Sequence, residues 1–334
     1  MPLPATQGRS RGRSRGRVVR VDRGSVDVRL DTGEVRVPDQ AGRLLVGDWV
    51  DLDVEDTGAG VVEVLPRSSV VSRAGASRTS QQQHLAANVD VVVIVEPASP
   101  KPSLSRIERL LVLAWSSGAT PLVVLTKADL LEAAGSRDVT DQVRTVALGV
   151  PVLSVSARSG DGVDAVRAHL GPGRTFVLLG PSGAGKSTLV NTLSARPLLE
   201  TADVRRDGRG RHTTTRRELV ELPDGSALID TPGLRSIGLP GDEGAVDDVF
   251  DDVVQLADGC RFRDCAHVSE PGCAVQGAIS DGSLSERRLE SWRKLGREAA
   301  FHARRGDARL AREERSRVRA RTKAWRRTPN RPSR

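Results

Sequence analysis

The stretch Gly180-Pro181-Ser182-Gly183-Ala184-Gly185-Lys186-Ser187 follows the apolar run Phe176-Val177-Leu178-Leu179 and precedes Thr188-Leu189-Val190-Asn191-Thr192-Leu193. No other part of the chain restricts its fold so strongly. An apolar run, a G-x-x-x-x-G-K-[ST] turn and a helical pattern in direct succession predict a buried strand, a phosphate-binding loop and a helix. The glycines let successive backbone N–H groups turn inward around phosphate oxygens, Lys186 reaches the β- and γ-phosphates, and the Ser187 hydroxyl is a magnesium ligand. The helix that includes Thr188 points its positive end at the same anion. The unit fixes a nucleoside triphosphate as the ligand class, but neither its base nor its use.

The surrounding pattern is α/β. Val91-Val92-Val93-Ile94-Val95 and Pro121-Leu122-Val123-Val124-Leu125 read as buried strands, with helical spacing from Leu104 to Trp115 between them. Val152-Leu153-Ser154-Val155 and the helical run from Val163 to Leu170 repeat the unit and lead into the phosphate loop. Such alternation predicts parallel strands with crossover helices. Glu218 to Leu222, the turn Pro223-Asp224-Gly225 and Ala227-Leu228-Ile229-Asp230 predict an antiparallel hairpin at one edge of that sheet. Upstream, Val19, Val21, Val26, Val28, Leu30, Val35 and Val37 recur at period two, and further short runs surround Trp49 and Val61. About five strands in about 50 residues predict a small closed barrel such as an OB-fold, with an SH3-like barrel as the structural alternative. The expected organisation is multidomain: a basic disordered extension over 1–16, the barrel over 17–68, a linker over 69–88, the nucleotide domain over 89–242, a helical zinc-binding domain over 243–304 and a basic extension over 305–334.

Two motifs choose the base. Thr126-Lys127-Ala128-Asp129 follows the strand at 121–125, and Ser156-Ala157 follows the next strand. A carboxylate at a strand end accepts hydrogen bonds from guanine N1–H and the exocyclic amine, groups that adenine does not present there, so Asp129 selects GTP over ATP. Lys127 is expected along the purine ring, and Ser156-Ala157 offers a backbone N–H to guanine O6. In Asp230-Thr231-Pro232-Gly233, Asp230 holds Mg²⁺ through water and the Gly233 N–H meets the γ-phosphate. Between these elements the Gly/Arg/Thr-rich segment 205–217 contains His212 and Thr214. It suits a loop that orders on γ-phosphate and Mg²⁺, with Thr214 as the magnesium-sensing residue. These are the motifs of guanine-nucleotide-binding proteins in an altered order, because 126–129 and 156–157 precede 180–187. The site survives such a rearrangement, since every loop leaves the same carboxyl edge of a parallel sheet. The order resembles that of the circularly permuted GTPases.

All three cysteines fall in Cys260-x4-Cys265-x-His267-x5-Cys273. Three thiols and an imidazole within fourteen positions supply a closed tetrahedral set, so one structural Zn²⁺ is favoured over disulfides. The net charge is +8, and arginines crowd both ends of the chain, which points to a polyanionic partner. With 2% aromatic residues and no tyrosine, binding to nucleic acid leans on phosphates and shape rather than base stacking. No apolar run approaches the ~18 residues that span a bilayer, and no secretory signal is evident, so the cytoplasm is the expected location.

Barrel, permuted nucleotide domain and Cys₃His segment together resemble the ribosome small-subunit-dependent GTPases of bacteria, over roughly residues 17–300. Gly210-Arg211-His212-Thr213-Thr214 and Asp230-Thr231-Pro232-Gly233 carry part of that resemblance. It implies a monomer that hydrolyses GTP to GDP with Mg²⁺ when stimulated by the 30S subunit, acts late in 30S maturation and binds 16S rRNA near the decoding region. Position 234 is Leu where many GTPases place a water-orienting Gln. Slow intrinsic hydrolysis is the expectation, with His212, which the resemblance also implicates, as the catalytic residue beside Lys186 and Thr214; contact with rRNA alone is the alternative role for His212. Two rivals belong to other classes: an RNA-binding assembly scaffold that uses GTP as a structural ligand, and a P-loop ATPase or kinase, with which Asp129 conflicts.

Overall fold

Gly12–Asp22 form the first strand, β1, of a computed structural model that describes residues 12–39, 41–55, 58–73, 83–195, 197–198, 217–230, 239 and 241–306. Disorder was expected through residue 16, yet β1 already begins at Gly12. The reason lies in distant partners: Arg13 and Arg15 alternate with Ser14 and Gly16, and their guanidinium groups pair with Asp51 and Glu63 on two other strands of the barrel. Gly16 has to be glycine, because a β-carbon there would collide with the Val28 and Leu30 side chains.

The first half of β1 pairs with β4 (Trp49–Glu55) and its second half with β2 (Ser25–Leu30), both antiparallel. β2 continues to β3 (Gly33–Pro38), β4 pairs with β5 (Gly58–Val64), and β3 lies against β5. One strand shared between two neighbours and closure through β3 and β5 give the OB arrangement rather than the SH3-like one. The period-two valines do what the pattern requires: Val18, Val26, Val28, Val37, Val50 and Leu52 fill the barrel with Leu30 and Leu44. Asp48, fully buried, is held by two parallel bonds of 2.7 Å from Arg67 and by the Leu45 N–H, which fastens the segment after β5 to the barrel. The polar stretch expected as a linker contains β6 (Val70–Arg73) and β7 (Gln83–Ala87), which pair with each other.

The nucleotide domain is built on β8 (Val91–Pro97), β9 (Thr120–Thr126), β10 (Val152–Ser154), β11 (Thr175–Leu179), β12 (Arg217–Glu221) and β13 (Ala227–Asp230). Strands lie in the order β10-β9-β8-β11-β13-β12, parallel except for β12. The chain steps outward from β8 to β10 and returns across β8 to β11, so the carboxyl ends of β8 and β11 flank the crevice where ligands of such sheets bind. Uninterrupted apolar runs suit strands covered on both faces. Val91, Val93, Val95, Leu122 and Val124 pack with α3 (Val163–Leu170) and α4 (Lys186–Leu193). α1 (Leu104–Ser116) packs on β8 and β9, and α2 (Ala133–Arg144) beside β10.

The hairpin β12–β13 has the expected turn but not the expected place. β12 is no sheet edge, because β1 of the barrel pairs with it antiparallel, making one sheet of eleven strands. An interior position was illegible in the alternation of β12, since partnership of an edge is set by a segment almost 200 residues away.

The chain divides into two compact units, Met1–Ser72 with His84–Ile237, and Arg73–Gln83 with Gly238–Arg334. The second contains α5 (Glu243–Val249), α6 (Asp251–Asp258), α7 (Ala274–Ser280) and α8 (Glu286–Gly306). Asp242 caps α5 by accepting the Ala245 N–H. Phe250, Val253, Val275, Leu284, Leu289 and Leu295 are buried. Arg288 is buried beside them, doubly bonded to Asp252 and with its guanidinium 4.2 Å from the Phe250 ring centre. No described helix is long and apolar enough to cross a membrane.

Candidate functional site

The phosphate loop is folded as its glycines require. Gly180, at φ +151°, lies so close to the Val95 carbonyl of β8 that a β-carbon would strike it. Gly183 and Gly185 have φ +77° and +85°, and Gly185 caps α4. Pro181, Ser182, Gly183 and Ala184 form the turn, and Lys186, Ser187 and Thr188 the first turn of α4. The Lys186 ammonium donates to the carbonyls of Gly180 and Pro181, at 2.9 and 2.7 Å, so it lies across the mouth of the loop.

The Thr126-Lys127-Ala128-Asp129 motif is bonded directly to this loop. Thr126, buried at the end of β9, donates its hydroxyl to the Ala184 carbonyl at 2.5 Å. Lys127 takes a left-handed conformation (φ +59°) and starts the single 3-10 turn Ala128–Leu130 that presents Asp129. The Ala128 N–H bonds the Val155 carbonyl, which sets this turn against the end of β10. There Ser156 donates its hydroxyl to the Asp129 carboxylate at 2.8 Å, and its N–H goes to the Asp161 carbonyl. The Thr192 hydroxyl of α4 reaches the Ala157 carbonyl at 3.2 Å. Thr126, Lys127, Asp129, Ser156, Ala157 and the phosphate loop are thus one connected edge, although 24 to 54 positions separate Ser156 and Thr126 from Gly180 in the chain.

Sequence reasoning used Ser156 for its backbone and missed both hydroxyl bonds, Ser156 to Asp129 and Thr126 to Ala184. A small hydroxyl residue at each strand end was the available signal.

Asp230 closes β13 at the same edge, directly opposite Glu218 on β12. Burial, and then the charge of Glu218, push its carboxyl above the ordinary aspartate range. A half-buried carboxylate next to a second one has good reason to take a cation, and Ser187 supplies a hydroxyl at the start of α4. These two residues fit magnesium. Gly233, His212 and Thr214 lie outside the described residues.

In the second unit, Cys260, Cys265, His267 and Cys273 place their ligand atoms within 4.8 Å of one another. Cys260 Sγ is 3.8 Å from Cys273 Sγ, and each is 3.5 Å from His267 Nδ1. A tetrahedral zinc requires S···S of about 3.8 Å and S···N of about 3.5 Å, from bonds of about 2.3 and 2.0 Å. The donor set therefore fits one zinc with Nδ1 as the ligating nitrogen. Its surroundings fix the ligands. Gln276 and Arg293 both donate to the His267 carbonyl, and Cys273 caps α7 by accepting the Gln276 N–H. Glu270 gathers the N–H groups of Ala266, Val268 and Ser269. Backbone N–H bonds, its own included, hold its carboxyl down at about 2. None of these supporting residues was legible in the ligand spacing.

Comparison with known proteins agrees with this fold. The crystal structure of YjeQ from Thermotoga maritima superimposes with a TM-score of 0.65 at 28% identity, over 86% of this chain and 98% of that one. YloQ, described as a circularly permuted GTPase, gives 0.62 at 24% identity, over 86% and 95%. Fold, motif order and site define a circularly permuted GTPase. The family model for the RsgA GTPase matches residues 64–240. A protein of Streptomyces coelicolor named small ribosomal subunit biogenesis GTPase RsgA is 49% identical over 307 residues, 89% of this chain and 84% of its own length. A Listeria monocytogenes protein named RsgA 2 is 45% identical over 81% of this chain and 77% of its own. The chain belongs to the RsgA GTPase family.

Proposed function

We propose that this GTPase serves biogenesis of the small ribosomal subunit, as the names of its relatives state for them, and that it hydrolyses GTP at the edge just described. The observation that carries the reading is the bonded path Ser156–Asp129 and Thr126–Ala184, which joins a guanine-reading carboxylate to a phosphate loop. Asp129 accepts from guanine N1–H and the exocyclic amine, Lys127 lies along the ring, and Thr126 and Ser156 hold these two in place. Because the Ser156 N–H is committed to Asp161, the amide left for guanine O6 is that of Ala157. The backbone from Gly180 to Thr188 receives the phosphates, with Lys186 on the β- and γ-oxygens and Gly233 on the γ-phosphate.

Ser187, Asp230 and Thr214 would hold Mg²⁺, which when bound neutralises charge that develops between the β- and γ-phosphates. One Zn²⁺ in the Cys₃His cluster has a structural role. The partner we assign is the 30S subunit through 16S rRNA, bound by a cytoplasmic monomer. Its +8 charge favours contacts with rRNA phosphates.

The test is GTP turnover by the full chain with and without purified 30S subunits, with ATP as control. Stimulation of about 10²-fold or more, for GTP alone, is expected by analogy with assisted GTPases generally. Equal turnover with and without subunits refutes the reading. His212 is assigned the catalytic role on the ribosome: His212→Ala is expected to lose most of that stimulation while still cosedimenting with 30S subunits, and undiminished turnover would refute the role.

A further inference from the structure

Asp230 is positioned in an unexpected way. β13 is paired with the phosphate-loop strand β11 only at Ala227 and Leu228, opposite Thr175 and Phe176. Its last two residues, Ile229 and Asp230, are paired with Leu219 and Glu218 of β12. The first two residues of β12, Arg217 and Glu218, are in turn paired with Val21 and Arg20 of the barrel strand β1. Directly opposed residues of antiparallel strands share a face, so Asp27, Arg20, Glu218 and Asp230 form one row across β2, β1, β12 and β13. The guanidinium of Arg20 sits between Asp22 and Asp27, at 3.4 and 3.9 Å.

β1 is also fastened at its middle. Arg17 leaves the barrel, lies 5.2 Å from the Trp49 ring centre and donates to the Thr175 hydroxyl, at 2.6 Å, at the first residue of β11. Its second bond goes to the Asn88 carbonyl. Asn88 itself bonds the Gly47 carbonyl, where a β-carbon would collide with Ala87. Residues 17–21 of β1 therefore reach from the start of β11, below the phosphate loop, to Arg217 and Glu218, of which Glu218 is paired with Asp230.

We infer that the second half of β1 is a positioning segment for GTP hydrolysis: the barrel, through Arg17 at mid-strand and the Arg20–Glu218 row three residues on, sets where Asp230 stands relative to the phosphate loop. Whatever displaces the barrel displaces the magnesium-side carboxylate with it, with no residue of the barrel touching nucleotide. This rests on the assignment of Asp230 to magnesium.

Arg217 allows a test, because its backbone pairs with Val21 of β1 and with no residue of β13, and its side-chain bond to the His84 carbonyl is lost alike in the proline and alanine variants. Proline there forces φ near −65°, against about −140° in an antiparallel ladder, whereas alanine keeps the ladder. In the full chain, Arg217→Pro is expected to raise the Mg²⁺ concentration for half-maximal intrinsic GTP turnover about tenfold, with KM for GTP at saturating Mg²⁺ within about twofold. Arg217→Ala is expected to match the native protein in both.

Hydrogen exchange of the native protein provides the readout that does not depend on a variant folding. Amides of 18–22 are expected to change protection about threefold or more between GDP and a non-hydrolysable GTP analogue with Mg²⁺. Unchanged exchange over 18–22 in the face of a response at 180–188, or native magnesium dependence of Arg217→Pro beside an impaired Asp230→Asn, overturns the inference. Native magnesium dependence of Asp230→Asn itself would remove the underlying assignment instead.

Discussion

Removing the metal from Cys260, Cys265, His267 and Cys273, by chelation or by Cys273→Ala, is expected to unfold residues 258–280 and to lower the melting transition of the second unit. Residues 260–273 contain no helix or strand, and their two large apolar side chains, Phe262 and Val268, are exposed. Little apolar surface is buried to order the segment, whose described support is the hydrogen bonds of Glu270, Gln276 and Arg293; a zinc in the cluster would add the larger share, an apparent ~10–16 kcal/mol in comparable small sites. The consequence extends to α7, whose first turn is capped by the ligand Cys273, and to Arg293 on α8, which bonds the carbonyls of Ala266 and His267. Loss of far-UV helicity, release of one zinc per chain and rapid amide exchange over 258–280 are the expected readouts. The nucleotide edge lies wholly in the other unit, so nucleotide affinity should stay within about twofold of native. A metal-free chain with unchanged melting and exchange would show that the cluster is not a structural zinc site.

The same contrast explains what was legible in the sequence. The glycine turns of 180–185, the turn that presents Asp129 and the clustering of Cys260, Cys265, His267 and Cys273 could be read because each rests on a short run of distinctive residue types. Strands β8, β9 and β11 could be read because they are buried on both faces and hence continuously apolar. The start of β1 at Gly12 was hidden: its order comes from ion pairs with Asp51 and Glu63, about 40 to 50 positions away, and an arginine-serine-glycine run has no apolar alternation to show it. The union of barrel and nucleotide sheet through β1 and β12 was hidden for the same reason. Main-chain pairing between distant strands leaves no composition signal, and it is this pairing that places Asp230.

Asp129→Ala is expected to weaken GDP and GTP binding on the order of 10³-fold, from the loss of two charge-assisted hydrogen bonds worth about 1.5–3 kcal/mol each. ATP affinity should hardly move, because adenine offers no N1–H donor at that place, so the preference for GTP over ATP should collapse almost entirely. Ser156→Ala separates aim from charge. It keeps the carboxylate and removes the 2.8 Å bond that orients it, and the expected loss is about tenfold, equivalent to one hydrogen bond. Thr126→Ala frees the turn from the Ala184 carbonyl and should cost a similar factor for both nucleotides, since it loosens the phosphate loop rather than the base contact. Equilibrium titration of each variant with GDP and ADP checks the three together. If Asp129→Ala bound GDP within about threefold of native while Thr126→Ala did not, the edge would be a phosphate site without base selection, and the guanine assignment would have to be abandoned.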